Sequence, residues 1–555
     1  MDPLPPPPNA HVSIESEVPL NKIDVPALDL DLLIKMEPSL RSILAPIKYE
    51  LSFVDLLLPG ESLPRYAPRS RVTRGDWAGD LVRWDIATKI RKWDAKAVMK
   101  GFAVPKSDGS SARFILDASS LNKAMQPPPH FRLPTLAEMR PIIFGFSFGQ
   151  ITDLRHCFYQ FPVASEVALF FCLHAGDATL SFKRMAMGWS WAPSIAQSVA
   201  MAYLAPIGAA GLAIYDDFLI MDHSVEQCAA STTLLRSRIS MCLGTIHPKK
   251  SASCPSPKFT YCGIEWNLST KCQRLDPKMV SRWTPWLKVI CQGRALPLRY
   301  YWIALGVSTY VQRSLLFAPS SLNNLFNWAA LTAARLARGI LTWNSVVVPW
   351  TSAVVELGFI TGHLIRNKWV QFHLSPPASL SLYTDSSLKG WAWLLHNNQD
   401  GHCLMGFRGA WTPGPHINVL ELLTVWKAIR WLCPRLPGLT WHLMCDNSTV
   451  VHQIRRGRTS NFVANRILSD LAYVLQRTKS QIRPTWVSTH DQRADEHTRL
   501  NLGPSSHPQP FGDIPFSVPL LAPSWPLLLW PHVTELRNLA STSLDVPLGI
   551  LPTGV

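Results

Sequence analysis

The residues best placed to do chemistry are acids that fall at the ends of short apolar runs. Leu212, Ala213 and Ile214 lead into Tyr215, Asp216 and Asp217, and Phe218 to Met221 lead away. Two strand-length runs around a polar dipeptide read as a β-hairpin with the carboxylates at its tip. Adjacent carboxylates between buried strands repel one another, and a divalent cation relieves that repulsion. The pair is therefore either an ordinary Asp-containing turn or part of a metal platform. Asp153 closes another apolar run about sixty residues upstream. Asp385, Glu421, Asp446 and Asp495 form a second ordered set. Enzymes that transfer phosphoryl groups with two metal ions need such sets to hold the cations about 3.5–4 Å apart. Glu421 lies among Val419, Leu420, Leu422 and Leu423. A Glu at a helix edge is commonly solvated, but apolar neighbours on both sides make an unpartnered carboxylate costly.

Each set needs elements to carry it. Phe102 to Lys106 and Ala112 to Asp117 read as two strands joined at Asp108-Gly109, with Lys106 and Arg113 opposite one another. A strand arrives at Asp153, and Phe158 and Tyr159 follow at once. A helix through about Leu204 starts at Pro193, which suits a first turn, and carries Gln197. Helix and strands between Asp153 and Asp216 would let the two strand ends lie side by side in one sheet. A helix follows over about Val225 to Leu243, then His247, Lys249 and Lys250. Residues 275–375 read as mostly helical with some strand and offer no assignable chemistry. From Ala378 three strands, a helix from about Asn418, a strand at Leu439–Cys445, two helices and a strand at Ile482–Val487 make a mixed α/β domain. The fold class expected is a multidomain α/β (α+β) protein, divided into an N-terminal Pro-rich arm (1–60), a first catalytic region (61–270), a helical region (271–376), a second catalytic domain (377–500) and a Pro-rich tail (501–555).

Composition narrows the partners. A chain of 555 residues is too long for one core, and three or four domains are expected. Lys and Arg number 54 against 38 acids, a net charge of +16 that suits a polyanionic partner, nucleic acid first and anionic membrane second. Arg65, Arg69, Arg71, Arg74, Arg91, Lys92, Lys96 and Lys100 concentrate that charge ahead of Asp153, as a solvated face or as a phosphate-binding one. The eleven cysteines are scattered without CxxC or Cys/His zinc spacing, which points to free thiols in a reducing compartment. No apolar run reaches the length of a membrane span, the run at Val346–Ile360 being broken by Pro349 and Glu356. The N-terminus lacks the apolar region of a secretory signal. No membrane association and a cytoplasmic or nuclear location are expected.

Over roughly Phe102 to Arg499 the sequence resembles retroelement reverse transcriptases fused to ribonuclease H. Pro105-Lys106 and Arg113 to Asn122 are similar to the fingers blocks, and Asp153 to Gln160 to the first palm motif. Phe182 to Gln197 and Tyr215-Asp216-Asp217 are similar to the palm motifs that follow, and Lys249-Lys250 and Tyr261-Cys262-Gly263 to the later blocks. Thr384-Asp385-Ser386, Asn418 to Leu422, Asp446-Asn447-Ser448 and Asp495 to Arg499 follow the ribonuclease H pattern in order. With no Asp-Thr-Gly or Asp-Ser-Gly protease motif upstream and no zinc-bound integrase module downstream, the resemblance leans toward the tyrosine-recombinase (DIRS-like) type. The run Met185 to Trp191 is more aromatic than the family's, and the approach to Asp495 is shorter, so His490 receives no catalytic role.

The resemblance implies a fingers and palm region with a ferredoxin-like palm sheet, a helical thumb and connection, and a ribonuclease H-like domain. It implies two Mg²⁺ (or Mn²⁺) on Asp153 and Asp216, with Asp217 assisting, and two more on Asp385, Glu421, Asp446 and Asp495. Lys106 and Arg113 would neutralise a triphosphate, and Gln197 would line the nucleotide pocket. Phe158 would either block a ribose 2′-hydroxyl or serve as a core aromatic, and one of Lys249 or Lys250 would protonate pyrophosphate. The partners implied are an RNA template, a DNA primer, dNTPs and an RNA–DNA hybrid. Two other classes compete. A decayed or domesticated element would bind nucleic acid without catalysis, but all seven carboxylates are present. An RNA-directed RNA polymerase also uses paired Asp, but the second set and Phe158 disfavour it.

Overall fold

The computed structural model describes residues 19–65, 76–106, 111–207, 210–317, 319–372, 380–398, 401–411, 415–459, 461–499 and 509–511. The arm before Pro19, Arg69, Arg71, Arg74, the Asp108-Gly109 turn and the tail beyond Phe511 lie outside those residues. The chain is a mixed α/β protein that divides into two units, residues 1–290 with 363–372, and residues 291–362 with 373–555. Among the described residues no helix is long and apolar enough to cross a membrane.

In the first unit the Asp153 site stands on a three-stranded antiparallel sheet of Phe148–Asp153, Asp217–Asp222 and Ala210–Ile214, with Asp217–Asp222 in the middle. Its central strand buries Phe218, Leu219, Ile220 and Met221 on both faces. The helix Val225–Met241, capped by Ser224, and the helix Ala192–Leu204 pack against this sheet. On the outer side of Phe148–Asp153, Gly149 and Ser256 exchange two backbone hydrogen bonds of 2.9 Å and Ala252 donates to Ile151. The ferredoxin-like order expected from the sequence thus has an irregular run as its fourth edge. The strand starts only at Phe148, because residues up to Phe144 belong to a helix, Leu136–Phe144, started by a Thr135–Glu138 capping box. A second sheet orders Ala87–Ile90, Ala178–Phe182, Cys172–Ala175, Val98–Pro105 and Ala112–Asp117. Gly188 lies at φ +116°, and a Cβ there would fall 2.0 Å from the Leu116 carbonyl oxygen. Only glycine allows the Met185–Trp189 loop to lie that close to the strand Ala112–Asp117.

In the second unit a six-stranded sheet runs Gln481–Trp486, Thr440–Cys445, Leu380–Ser386, Gly390–Asn397, Cys403–Ala410 and Gln509–Phe511. The first three strands are mutually parallel and the rest antiparallel. Gln509–Phe511 falls in the segment read from its prolines as a tail, yet it pairs with Gly406–Arg408. The helices Ile417–Leu432 and Phe462–Arg477 pack together, and their apolar residues share one core with the sheet.

Residues 291–362 contain the helices Leu298–Ser314 and Asn323–Ala337, and most of Thr351–Arg366. Glu356, which breaks the apolar run seen in the sequence, accepts the backbone N–H groups of Asn324 and Leu325 at 3.0 and 2.8 Å. It also accepts the Asn324 side-chain amide at 2.7 Å. Its carboxylate therefore caps the start of another helix, where the exposed donors and helix dipole favour negative charge. Glu356→Ala leaves those donors without an acceptor. The expected cost is about 2–3 kcal/mol, read as a lower urea midpoint with an unchanged slope.

Candidate active sites

Asp153 and Asp217 are direct cross-strand partners in the antiparallel register, and Ile214 pairs with Asp217 from the other side. Only Tyr215 and Asp216 remain to make the turn. Tyr215 takes a left-handed conformation, φ 55°, which costs a non-glycine residue roughly 1–2 kcal/mol. Gln197 holds it there: its Oε1 accepts the Tyr215 N–H at 2.9 Å and its Nε2 donates to the Ala213 carbonyl at 3.0 Å. The amide expected to line a nucleotide pocket is thus committed to the hairpin that presents Asp216. The Asp216 carbonyl accepts the Leu154 N–H at 2.9 Å, tying the turn to the residue after Asp153.

The electrostatics follow from that crowding. Burial and the Asp153 charge raise the Asp216 carboxyl. Burial, Asp216 and Asp153 push Asp217 up to about 7. Asp153 is 4% exposed and its Oδ1 has no hydrogen-bond partner. Its Oδ2 accepts the Lys250 ammonium at 3.0 Å. The strand end is fixed by Ser251 Oγ, which accepts the Asp153 N–H at 3.0 Å, and by the His247 N–H, which donates to the Asp153 carbonyl at 2.7 Å. Three crowded carboxyls, two of them raised and one with an orphaned buried oxygen, are a donor set that fits hard divalent cations.

Lys106 and Arg113 do not stand opposite one another. Val104 is the partner of Arg113, while the Lys106 N–H donates to Ser111 at 2.8 Å. Because strand side chains alternate, Lys106 and Arg113 occupy the same face two positions apart. Arg113 acts on Asp216, and Lys106 acts on His156. His156, left-handed at φ 51°, is lowered to about 4 by burial and by Arg155 and Lys106, and so is neutral near pH 7. Phe158 lies in the short helix Cys157–Gln160, half-buried against the core. Gln160, quoted in the sequence only as part of a motif, joins the loop after Asp153 to the turn before His247. Its Nε2 donates to the carbonyls of Arg155 and Thr245 at 2.7 and 3.0 Å, and its Oε1 accepts the Thr245 N–H at 2.9 Å.

The second set also comes together. Tyr383 and Met444 are partners in the parallel pair, so Asp385, still paired with Ala392, and Asp446, just past its strand end, lie at the same level two residues on. The helix Ile417–Leu432 places Glu421 beside them, and the short helix Asp495–Thr498 adds Asp495. Burial and the Asp385 and Asp446 charges push Glu421 up to about 9. Burial is also the main cause that pushes Asp385 up to about 6. Glu421 is 4% exposed and its Oε2 has no hydrogen-bond partner. The other acids are oriented. Thr498 Oγ1 donates to Asp385 at 2.8 Å, Thr489 Oγ1 to Asp446 at 3.1 Å, and Arg499 to both Asp495 oxygens at 3.0 and 2.8 Å. This set too fits divalent cations, since a buried carboxylate oxygen without a donor gains most from one. Cys445 escaped the sequence reading, although a strand ending directly before Asp446 was a signal for it. A cavity of about 770 Å³ lined in part by Glu37, Trp191 and Met201 contains none of the seven acids.

No protein-family description and no curated protein matches the sequence. Among solved structures the chain is similar to a foamy viral protease-reverse transcriptase in complex with dsDNA, at 13% identity and a TM-score of 0.48, over 84% of this chain and 99% of that one. Its dRH form with ds DNA gives 13% and 0.47 over 84% of each chain. The complex with RNA/DNA hybrid gives 14% and 0.46, over 81% of this chain and 58% of that one. Likeness at this level assigns no residue a role.

Proposed function

We propose that the chain is a retrotransposon RNA-directed DNA polymerase that also carries a separate ribonuclease H site. One observation carries this reading: two carboxylate sets stand in separate units, each containing an acid that is nine-tenths buried with an oxygen lacking any donor. Mg²⁺ or Mn²⁺ bound at each set would act as a Lewis acid on the attacking and leaving oxygens of an in-line displacement. In the first site Asp153 and Asp216 are the metal ligands and Asp217 is the supporting carboxylate. Gln197 keeps the Tyr215-Asp216 turn in place, so that the two ligands are aligned before substrate arrives. Lys106 and Arg113 neutralise triphosphate charge, and Phe158 closes the ribose side of the pocket. In the second site Asp385, Glu421, Asp446 and Asp495 hold the cations while the RNA strand of an RNA–DNA hybrid is hydrolysed. There the 2′-hydroxyl and helix form select RNA, without regard to sequence. The direct test is extension of a DNA primer on an RNA template with dNTPs and Mg²⁺; a folded chain that makes no DNA product refutes the first activity.

Of Lys249 and Lys250, the second is supported by a side-chain contact, its ammonium reaching Asp153 at 3.0 Å. Lys250 is the residue that can follow the leaving group, and general-acid assistance is worth about 10²–10⁴-fold. Lys250→Gln is expected to slow single-turnover nucleotide addition by about a hundredfold, at the lower end of that range, with Lys249→Gln close to wild type. Equal effects in single-turnover measurements contradict this assignment.

A further inference from the structure

Cys445 has no part in hydrolysis by carboxylate-held Mg²⁺, yet the fold brings its sulfur to the acids. It ends the strand Thr440–Cys445, and with Trp441 and Leu443 it lies on the buried face of that strand. The helix Ile417–Leu432 supplies Glu421 to the same core. Glu421, Cys445 and Asp446 each offer one ligand atom, and the three atoms lie within 4.8 Å of one another. No other group of three His, Cys, Asp or Glu residues is this tight among the described residues. The thiol is barely committed elsewhere, its contact with the Asn447 carbonyl being 3.9 Å. Independently, the buried Glu421 carboxylate has an oxygen, Oε2, that no donor reaches.

Sulfur changes which cation this corner prefers. Mg²⁺ binds oxygen almost exclusively, whereas Zn²⁺ and its heavier congener Cd²⁺ gain strongly from a thiolate. Zn²⁺ takes sulfur at about 2.3 Å and carboxylate oxygen at about 2.0–2.2 Å, so a small inward shift of the three side chains would surround one ion. A cation there also reverses the mutual repulsion of the three groups. We propose that Glu421, Cys445 and Asp446 form a site for a thiophilic divalent cation, Zn²⁺ or Cd²⁺. The ion takes two of the four acids of the second set away from Mg²⁺. A consequence that rests on the proposed hydrolysis is that Zn²⁺ inhibits hybrid cleavage in competition with Mg²⁺.

Cd²⁺ titration of the full chain tests the site without any catalytic assay, because a cadmium–thiolate bond gives an ultraviolet charge-transfer band. One saturable high-affinity band, separate from the weak absorbance that the exposed Cys254 adds at higher Cd²⁺, is expected in wild type and in Cys433→Ser, whose sulfur is buried in the same core but outside the cluster. The band is expected to disappear in Cys445→Ser. Glu421→Gln should weaken Cd²⁺ binding by at least about tenfold, since losing even an outer-shell partner of a metal ligand costs 10–100-fold. A band that survives in Cys445→Ser, or one that vanishes in Cys433→Ser instead, overturns the proposal. If Cys445→Ser does not fold, Glu421→Gln and Asp446→Asn decide it by the same titration, and wild-type affinity in both overturns it. A band without Mg²⁺-supported hybrid cleavage in wild type leaves the cation site standing and removes the hydrolytic reading. Cleavage without a band does the reverse.

Discussion

Asp216→Asn is expected to abolish primer extension while leaving cleavage of the RNA strand in an RNA–DNA hybrid intact. The substitution keeps size and shape at a turn already fixed by Gln197 and by the Asp216 carbonyl, so the fold has no reason to change. What it removes is one of the two carboxylates proposed to hold the cations that would neutralise the reacting phosphate. A ligand worth about 4 kcal/mol of transition-state stabilisation corresponds to roughly a thousandfold in rate, enough to erase product in an ordinary gel assay. Asp217→Asn is expected to be milder, because a carboxyl pushed up to about 7 is already partly protonated near neutrality. The separation of the two sites into different units underlies the second half of the expectation. Loss of both activities in Asp216→Asn would show that the sets act as one centre.

Glu421→Gln is expected to do two opposite things, and the combination is its signature. Hybrid cleavage falls by about a thousandfold or more, by the same argument, while extension persists. In metal-free buffer the variant is nevertheless more stable than wild type. The native Glu421 carboxyl is raised from 4.5 to about 9 by burial and by Asp385 and Asp446. A folded state that holds a proton more tightly than the unfolded chain loses stability as pH rises, here from about 4.5 to about 9. Holding Glu421 neutral at pH 7 costs about 3 kcal/mol, and glutamine avoids that cost. Thermal melts in chelator should therefore show the variant above wild type at pH 8, with the gap closing toward pH 5. Saturating Mg²⁺ should narrow the gap at pH 8 by stabilising wild type more than the variant. A gap that does not depend on pH would mean that Glu421 is not the strained group described.

Asp153, Asp216, Asp385 and Asp446 were legible because each closes an apolar run, and strand ends are where a sheet exposes polar residues without losing its core. Their order along the chain was enough to group them. The register was not legible: that Asp153 faces Asp217, with Asp216 in the turn, depends on a pairing between residues more than sixty apart. Gln197 was found, but its partners were missed, since a buried amide satisfied by two backbone groups leaves no mark in sequence. Lys106 and Arg113 were read as facing one another, yet a two-residue turn at Asp108-Gly109 already implies Ser111 opposite Lys106, the diagonal arrangement that strand pairing shows. Residues 291–362 stayed mute because their polar anchor, Glu356, works on a helix start more than thirty residues away. Cys445 was overlooked for a simpler reason. A lone thiol beside an acid gains meaning only when a distant helix delivers Glu421 to it.

The central claim is that one chain carries two metal-dependent phosphoryl-transfer sites, the first of which makes DNA on RNA. Its most direct measurement is primer extension by the purified full chain on a labelled RNA template–DNA primer, with dNTPs, with and without Mg²⁺. DNA product is expected that requires Mg²⁺, disappears in Asp216→Asn and persists in Asp385→Asn. Folded wild type that yields no DNA under any Mg²⁺ or Mn²⁺ concentration, or product that survives in Asp216→Asn, would contradict it.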